Sequence, residues 1–399
     1  MTLSQLCGAR TPLVILLLVV GCSGLQRVPT PPVVEADPES VELSLFLIGD
    51  AGAPAPDEPV LLALRNELDA APGQVATVFL GDNIYPRGMP PEEAPMRGEA
   101  ERRLKAQVDV ATATETPVYF VLGNHDWAYM SPDGLASARR QADFIDEHGG
   151  QWATLLPAPG CPGPAFVDLG SRARLILIDT QWWLHPFVRP VGESSPCPAT
   201  TDLEVINQLN QLMIAAGERH VIVVAHHPLE TGGLHGGYMG WSSHVFPLRE
   251  LADWLYIPLP VLGSAYALRR AQTGPNQDIS GPLYARLRRA LNVVFARRRP
   301  LVYAAGHDHN LQVIEGGDDT AQWLLVSGSG IYGHVTQVNW VDGTRYAAPA
   351  SGYMRMDFLR DGKVRLGVRV VDAEGGATER FSLYLVDDED IQQQNQEGP

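Results

Sequence analysis

The stretch Val75–Tyr85 reads VATVFLGDNIY, an apolar run closed by Gly81 and then by Asp82, Asn83 and Tyr85. A short apolar run without hydrophobic–polar alternation suits a strand covered on both faces. The same design recurs on either side. Val41–Asp50, VELSLFLIGD, ends at Gly49-Asp50, and Pro117–Asn124, PVYFVLGN, ends at Gly123-Asn124. Helical spacing occupies Pro59–Leu68, and a long polar and helical stretch runs through Val110. Strands alternating with helices predict βαβ units and a largely parallel sheet. In such folds the site lies at the carboxyl ends of the strands. Glycine at each exit permits a tight turn and close approach of backbone to a ligand.

The second half repeats this logic. Ala173–Ile178 and His220–Val224 read as strands, with a helix over Asp202–Ala216 between them. Leu301–Ala305 is another strand and leads into Gly306-His307-Asp308-His309. Ala321–Val326, Tyr353–Leu359 and Lys363–Val371 read as antiparallel strands, with a turn at Asp361-Gly362. From Asp387 the chain is acidic and Gln-rich, which predicts a frayed tail over 387–399.

Five clusters follow strands, in this order: Gly49-Asp50-Ala51-Gly52, Gly81-Asp82-Asn83-Ile84-Tyr85, Gly123-Asn124-His125-Asp126, Val223-Val224-Ala225-His226 and Gly306-His307-Asp308-His309. Together they bring Asp, Tyr, Asn and His donors to the sheet ends. That set suits a pair of cations, which need a shared carboxylate to offset their repulsion. His307 and His309 are two apart and project to one side of an extended segment. Imidazole suits zinc and iron, and the oxygen donors suit harder ions.

The remaining composition bounds the reading. The chain has 399 residues, 45% of them hydrophobic, which supports a real core. Its net charge of −16 argues against a stable nucleic-acid complex, since phosphate backbones need a basic footprint. It does not exclude an anionic substrate, because bound cations supply local positive charge. Leu13–Val20 is too short to span a bilayer, follows Arg10, and reads as a signal peptide over 1–21. Val19-Val20-Gly21-Cys22-Ser23 resembles a bacterial lipobox and predicts an exported lipoprotein held to the cell envelope, periplasmic or outer face, through Cys22. Plain secretion, or a cytoplasmic protein with an odd N-terminus, is the alternative. Residues 22–40 read as a Pro-, Ser- and Val-rich tether. Cys161 and Cys197 then remain in Pro-rich loops, and the exported context favours one disulfide over two free thiols.

The five clusters together resemble those of calcineurin-like metallophosphoesterases, and more closely those of purple acid phosphatases. The resemblance runs from Gly49 to His309. It implies an α/β fold, the four-layer α/β/β/α metallophosphoesterase sandwich, over 41–386. It also implies that Asp50, Asp82, Tyr85 and His309 bind a first metal, Fe(III), with Asp82 bridging. Asn124, His226 and His307 would complete a second site for a divalent ion such as iron, zinc or manganese. The broader superfamily usually has His where this chain has Gly52, and Tyr85 restores the ligand count. The alternative for Tyr85 is packing beside Pro86. A metal-bound hydroxide would attack phosphorus in line. His125 would stabilise charge or move protons near the phosphate, with Asp126 orienting it. His235, nine residues after His226, would stand near the leaving group, or else be a loop histidine. His227 is a second layer to the metal or structural. His148, His185, His220, His244 and His334 read as surface or structural.

Gly236–Pro300 is a long insertion between two of the clusters. It predicts helices near His244–Tyr256 and Pro282–Ala296. Arg269–Arg299 carries eight Arg against one acid, Asp278, which reads as a solvated face or as a cap that recruits phosphorylated substrates or rests on anionic lipid. The apolar stretch Trp254–Leu268 is expected in the core, with lipid contact as its alternative. The function expected is hydrolysis of small phosphate monoesters by an enzyme attached to a membrane through Cys22. The rivals are a phosphodiesterase or nucleotide hydrolase on the same site, and a non-catalytic envelope binding protein.

Overall fold

The computed structural model describes residues 33–239, 244–250 and 254–397. The expected export segment, the Cys22 anchor and the tether up to residue 32 lie outside the described residues, as do 251–253 of the first expected insertion helix. In chain order the strands are β1 (Val41–Ile48), β2 (Gln74–Phe79), β3 (Val118–Phe120), β4 (Ala153–Leu155), β5 (Ala165–Leu169), β6 (Ala173–Leu177), β7 (His220–Val224), β8 (Val302–Ala305), β9 (Leu311–Glu315), β10 (Trp323–Ser327), β11 (Thr344–Ala348), β12 (Gly352–Leu359), β13 (Val364–Val371) and β14 (Ala377–Val386). The helices used below are α1 (Pro59–Ala70), α2 (Arg97–Thr114), α3 (Gly134–Gly149), α4 (Gln181–Leu184), α5 (Asp202–Ile214), α6 (Pro260–Thr273), α7 (Pro282–Phe295) and α8 (Asp388–Glu397).

The strands form two seven-stranded sheets, ordered β14-β13-β12-β1-β2-β3-β4 and β11-β9-β10-β8-β7-β6-β5. Each is mixed rather than largely parallel. The β1–β4 and β6–β7–β8–β10 pairings are parallel, and β12–β14, β5, β9 and β11 join antiparallel. Alternate side chains of β1 part to opposite faces, as the strand period requires. Leu43, Leu45 and Leu47 join Ile222, Val224, Ala304 and Val313 of the second sheet in one apolar layer. Phe46 and Ile48 join Val60 and Leu64 of α1 and Leu104 and Val108 of α2 in the other, which also holds Val223 with Leu209 of α5 and Leu287 of α7. Helices therefore cover the outer faces of two stacked sheets, an α/β sandwich of four layers.

Several local expectations change. The end of the tether is seated: Val34 N donates to Ser382 Oγ at 2.6 Å, and Pro38–Ser40 form a short helical turn. The tail forms α8, whose first turn carries Asp388, Glu389 and Asp390 and is capped by Asp387 Oδ1, which accepts from Glu389 N at 2.8 Å. Within the expected helix His244–Tyr256, Pro247–Glu250 form a 3-10 turn. The second insertion helix is found as α7. Between them lies α6, which the sequence did not indicate. Its Pro260 sits at the helix start, where the missing N–H costs nothing. Trp254, Val261, Leu262 and Leu268 are exposed, so this apolar stretch is not in the core.

Cys161 and Cys197 are joined, as the sequence led us to expect, with Cα atoms 5.4 Å apart. The bond closes a loop across 36 positions, which removes about 4 kcal/mol of chain entropy from the unfolded state. Reduction, or a Cys161→Ala/Cys197→Ala variant, is expected to lower the urea midpoint accordingly; an unchanged midpoint would show the bridge to be without effect on stability.

Candidate metal centre

The carboxyl ends of β1, β2 and β3 in one sheet meet those of β7 and β8 in the other. Backbone bonds stitch the exits together: Gly49 N donates to Ser327 O at 2.7 Å, Asp50 N to Gly81 O at 3.0 Å and Gly306 N to His226 O at 3.0 Å. Asp50, Asp82 and His307 each follow an exit glycine and adopt left-handed backbone, with φ of 58°, 53° and 72°. Such geometry costs about 1–3 kcal/mol per residue and persists where surrounding bonds over-determine it. Here His307 N donates to Asp50 Oδ2 at 2.7 Å, and His125 N to Asp82 Oδ1 at 2.8 Å. Gly123 makes room: a Cβ there would lie 2.2 Å from Asp82 Oδ1.

Two groups of donor atoms result. In the first, Tyr85 Oη stands 2.9 Å from Asp50 Oδ1 and 3.0 Å from His309 Nε2, which is 3.4 Å from Asp50 Oδ1. In the second, His226 Nε2 stands 3.0 Å from Asn124 Oδ1, 3.2 Å from His307 Nδ1 and 3.5 Å from Asp82 Oδ1, and His307 Nδ1 is 3.1 Å from Asn124 Oδ1. Bonds of about 2.0–2.1 Å to one cation place neighbouring donor atoms roughly 3.0–3.4 Å apart. Both groups have that spacing.

The protons agree with this. His226 Nδ1 faces the Leu80 carbonyl at 2.9 Å, and His307 Nε2 faces the Gln277 carbonyl at 2.8 Å. A carbonyl only accepts, so each ring carries a hydrogen there and directs its other nitrogen toward its partner ring. Asn124 Oδ1 and Asp82 Oδ1 complete four acceptors around one point, which calls for positive charge. Burial opposes a charged His226, yet Asp82 and Asp50 raise it to about 9, so a proton on Nε2 supplies that positive charge until a cation takes its place. Burial likewise opposes ionisation of Asp82, but His226 and His125 hold it well below the usual carboxylate range. Burial, with the charges of His235, His227 and His226, keeps His307 neutral, as a ligand must be. The chemistry of the donor set thus fits a pair of cations. Tyr85 stays a phenol on its own, because burial and the charges of Asp50 and Asp82 raise it well above its ordinary value. Only a strong cation would draw its proton off.

Gly52 could not have carried the nitrogen ligand of the broader pattern. A Cβ there would lie 2.4 Å from Asp82 O and 2.7 Å from Ile84 N. Tyr85 reaches the space instead, and its Oη meets the first group of donors.

The expected pairing of Asp126 with His125 is not found. Asp126 is fully buried and accepts from Gly123 N at 2.8 Å, Asn83 N at 2.9 Å and Ile84 N at 3.1 Å, so it braces the loops that carry Asp82 and Asn124. Burial and the Asp82 charge raise its carboxyl to about 8, against the pull of those amides. His125 Nδ1 faces the Pro86 carbonyl at 2.7 Å, which turns Nε2 toward Asp82 Oδ2 at 3.8 Å. His227 is buried between Thr180 Oγ1, 2.8 Å away, and Gln277 Oε1, 2.7 Å away, so both its nitrogens are engaged behind the ligands.

His235 stacks on His307 with ring centroids 3.8 Å apart. Its Nδ1 is 2.8 Å from Asp278 Oδ1, and its backbone N donates to Asp308 Oδ1 at 3.2 Å. Asp278 is fully buried, and Arg270 of α6 holds both its oxygens, at 2.5 and 2.9 Å. Burial would raise the Asp278 carboxyl, but Arg270 and His235 lower it on balance. Gln277, Asp278 and Arg270 gave no sign of this in the sequence, because only the folded insertion brings them to the site. His334, read above as surface or structural, packs 4.3 Å from His309 and 5.7 Å from Tyr85 between ring centroids. Ala128, Tyr129 and Met130 form a run of three left-handed residues after the Asn124 loop, which sets Tyr129 beside His125 at 4.7 Å.

The profile of the calcineurin-like phosphoesterase family matches residues 44–261, more than half of the chain. Purple acid phosphatase 4 of Arabidopsis thaliana is 22% identical over 322 residues, covering 79% of this chain and 75% of that protein. Purple acid phosphatase 3 of the same plant is 23% identical over 217 residues, 52% of this chain and 54% of that protein. A solved structure titled as GAP50, the anchor in the inner membrane complex of Plasmodium, aligns with a TM-score of 0.50 at 14% identity over 86% of this chain and 88% of its own, a likeness of fold. The chain belongs to the calcineurin-like phosphoesterase family, metal-dependent hydrolases of phosphate esters, and within it resembles the purple acid phosphatases.

Proposed function

We propose that this protein is a phosphomonoesterase of the purple-acid-phosphatase type. The observation that carries the reading is the first donor group, in which Tyr85 joins Asp50 and His309 where Gly52 leaves no room for a histidine. Asp50, Asp82, Tyr85 and His309 would hold Fe(III), and Asp82, Asn124, His226 and His307 a divalent iron, zinc or manganese ion. When bound, the pair would neutralise phosphate charge and supply a nucleophile at mild pH. His125, partly exposed beside Asp82, binds the phosphate oxygens and orients them for in-line displacement. His235 gives a proton to the leaving oxygen from Nε2, for which no protein partner is found among the described residues, while Asp278 holds Nδ1.

Turnover of p-nitrophenyl phosphate well above that of bis(p-nitrophenyl) phosphate, in protein shown to carry two metals, is the expected result. Preference for the bis-ester would favour a diesterase, and no turnover with both metals bound would favour a binding protein. Tyr85→Phe in iron-replete protein is expected to abolish the visible phenolate-to-iron band while the far-ultraviolet spectrum stays native. A band that survives would remove Tyr85 from the ligand set.

The same proposal places the enzyme outside the reducing cytoplasm as a lipoprotein anchored through Cys22, with the Cys161–Cys197 disulfide as support. Palmitate label should enter the protein and be absent from a Cys22→Ser variant; equal labelling of both would sink the anchor.

A further inference from the structure

α6 is built the wrong way round for a helix of a soluble body. Its buried residues are the small Gly263 and Ala267, four apart on one face. Its large apolar residues point outward: Val261 is 81% exposed, Leu262 63% and Leu268 61%, with Tyr266 beside them. The segment leading into it adds Trp254, 76% exposed, and Ile257. Large apolar groups normally close the core and small ones tolerate solvent, so this face is arranged for a second apolar medium.

Charge says which medium. Between Asp253 and Asp278 the chain has no carboxylate, although it carries 46 acids overall and a net charge of −16. The segment does carry Arg269, which is exposed, and Arg270, which is held by Asp278. An anionic surface repels most of this molecule and spares this segment. A second copy of the chain would bring its own −16 to the contact. Exposed aliphatic side chains and Tyr on a helix, an exposed Trp leading into it, and Arg without acids are the composition of a segment that lies in a lipid–water interface.

We propose that α6 and the segment before it, residues 254–268, dock on the surface of an anionic bilayer. The Gly263–Ala267 face and the Arg270–Asp278 pair hold the helix to the body while its apolar side enters the headgroup region. The same insertion sends Gln277 and Asp278 to His307 and His235, so the docking helix and the metal centre are joined by one segment.

Amide hydrogen exchange of the full chain, followed by mass spectrometry with and without vesicles of phosphatidylglycerol and phosphatidylethanolamine, tests this whatever the N-terminus does. The expected result is slower exchange over 254–268 with these vesicles and much less slowing with phosphatidylcholine alone. A Val261→Glu/Leu262→Glu variant, whose two positions are exposed and outside the candidate ligand set, should keep its phosphatase rate on a soluble ester and lose the protection, with vesicle affinity of the segment down about tenfold or more. Protection confined to the N-terminal residues would overturn the proposal. So would protection of 254–268 that is already present without vesicles, whether it grows with protein concentration, as for a second copy, or does not, as for cover by the chain's own N-terminal apolar run.

Discussion

Asp82→Asn is expected to lower turnover of p-nitrophenyl phosphate by about three orders of magnitude or more and to bring the metal content from two ions toward one. The Asp82 carboxylate lies within 4.8 Å of Asp50 of the first group and of His226 of the second, with Oδ1 3.5 Å from His226 Nε2 and Oδ2 3.8 Å from His125 Nε2. A trication and a dication about 4 Å apart repel by roughly 25 kcal/mol even at an effective dielectric of about 20. A bridging anion is what makes such a pair tolerable. Asparagine keeps the volume and can still accept from His125 N, so the backbone of the loop is retained while the charge is lost. The measurement is metal per protein by elemental analysis beside kcat, with thermal unfolding as the check on folding. Full activity with two ions bound would show that Asp82 does not bridge. Asp126→Asn is the useful comparison. Its carboxylate touches loop amides rather than donor atoms, and its loss should cost only about 10–100-fold.

The parts of this molecule legible in its sequence are those where one short segment decides the outcome alone. β1 and β7 begin and end where the apolar runs do, and β2 and β3 fall within a residue or two, because these strands are covered on both faces. Each of Asp50, Asp82, Asn124 and His307 directly follows a glycine at a strand exit, so these four ligand candidates are legible in the sequence itself. Elements that depend on partners were harder. The first half of β14 is largely exposed, which removes the apolar signal of a strand. α6 keeps its large apolar residues outward, so its pattern read as core and its prolines as breaks. Asp278 looked like the lone acid among eight arginines, a solvated charge. Its role rests on the return of the chain from α6, which brings Arg270 and His235 onto the same carboxylate.

That carboxylate yields the second large effect. His235→Ala is expected to lower turnover of an alkyl phosphate by about 10²–10³-fold while p-nitrophenyl phosphate loses less than about tenfold. An alkoxide is a strong base and leaves only with a proton. Nitrophenolate is stable without one. The difference between the two substrates therefore isolates proton delivery from binding and from metal content, which both substrates share. Asp278→Asn should show the same selectivity at smaller size, about tenfold, with KM little changed. The amide can still face Nδ1, but it no longer offers a negative charge to a ring protonated on both nitrogens, the form that can give its Nε2 proton to the leaving oxygen. It also leaves Arg270 without its counter-charge in a buried place, so unfolding should be followed alongside the kinetics. Equal losses on both substrates would mean that His235 and Asp278 only hold the insertion in position against His307. A loss confined to the alkyl ester, with metal content and unfolding unchanged, is the outcome that a purely structural histidine does not produce.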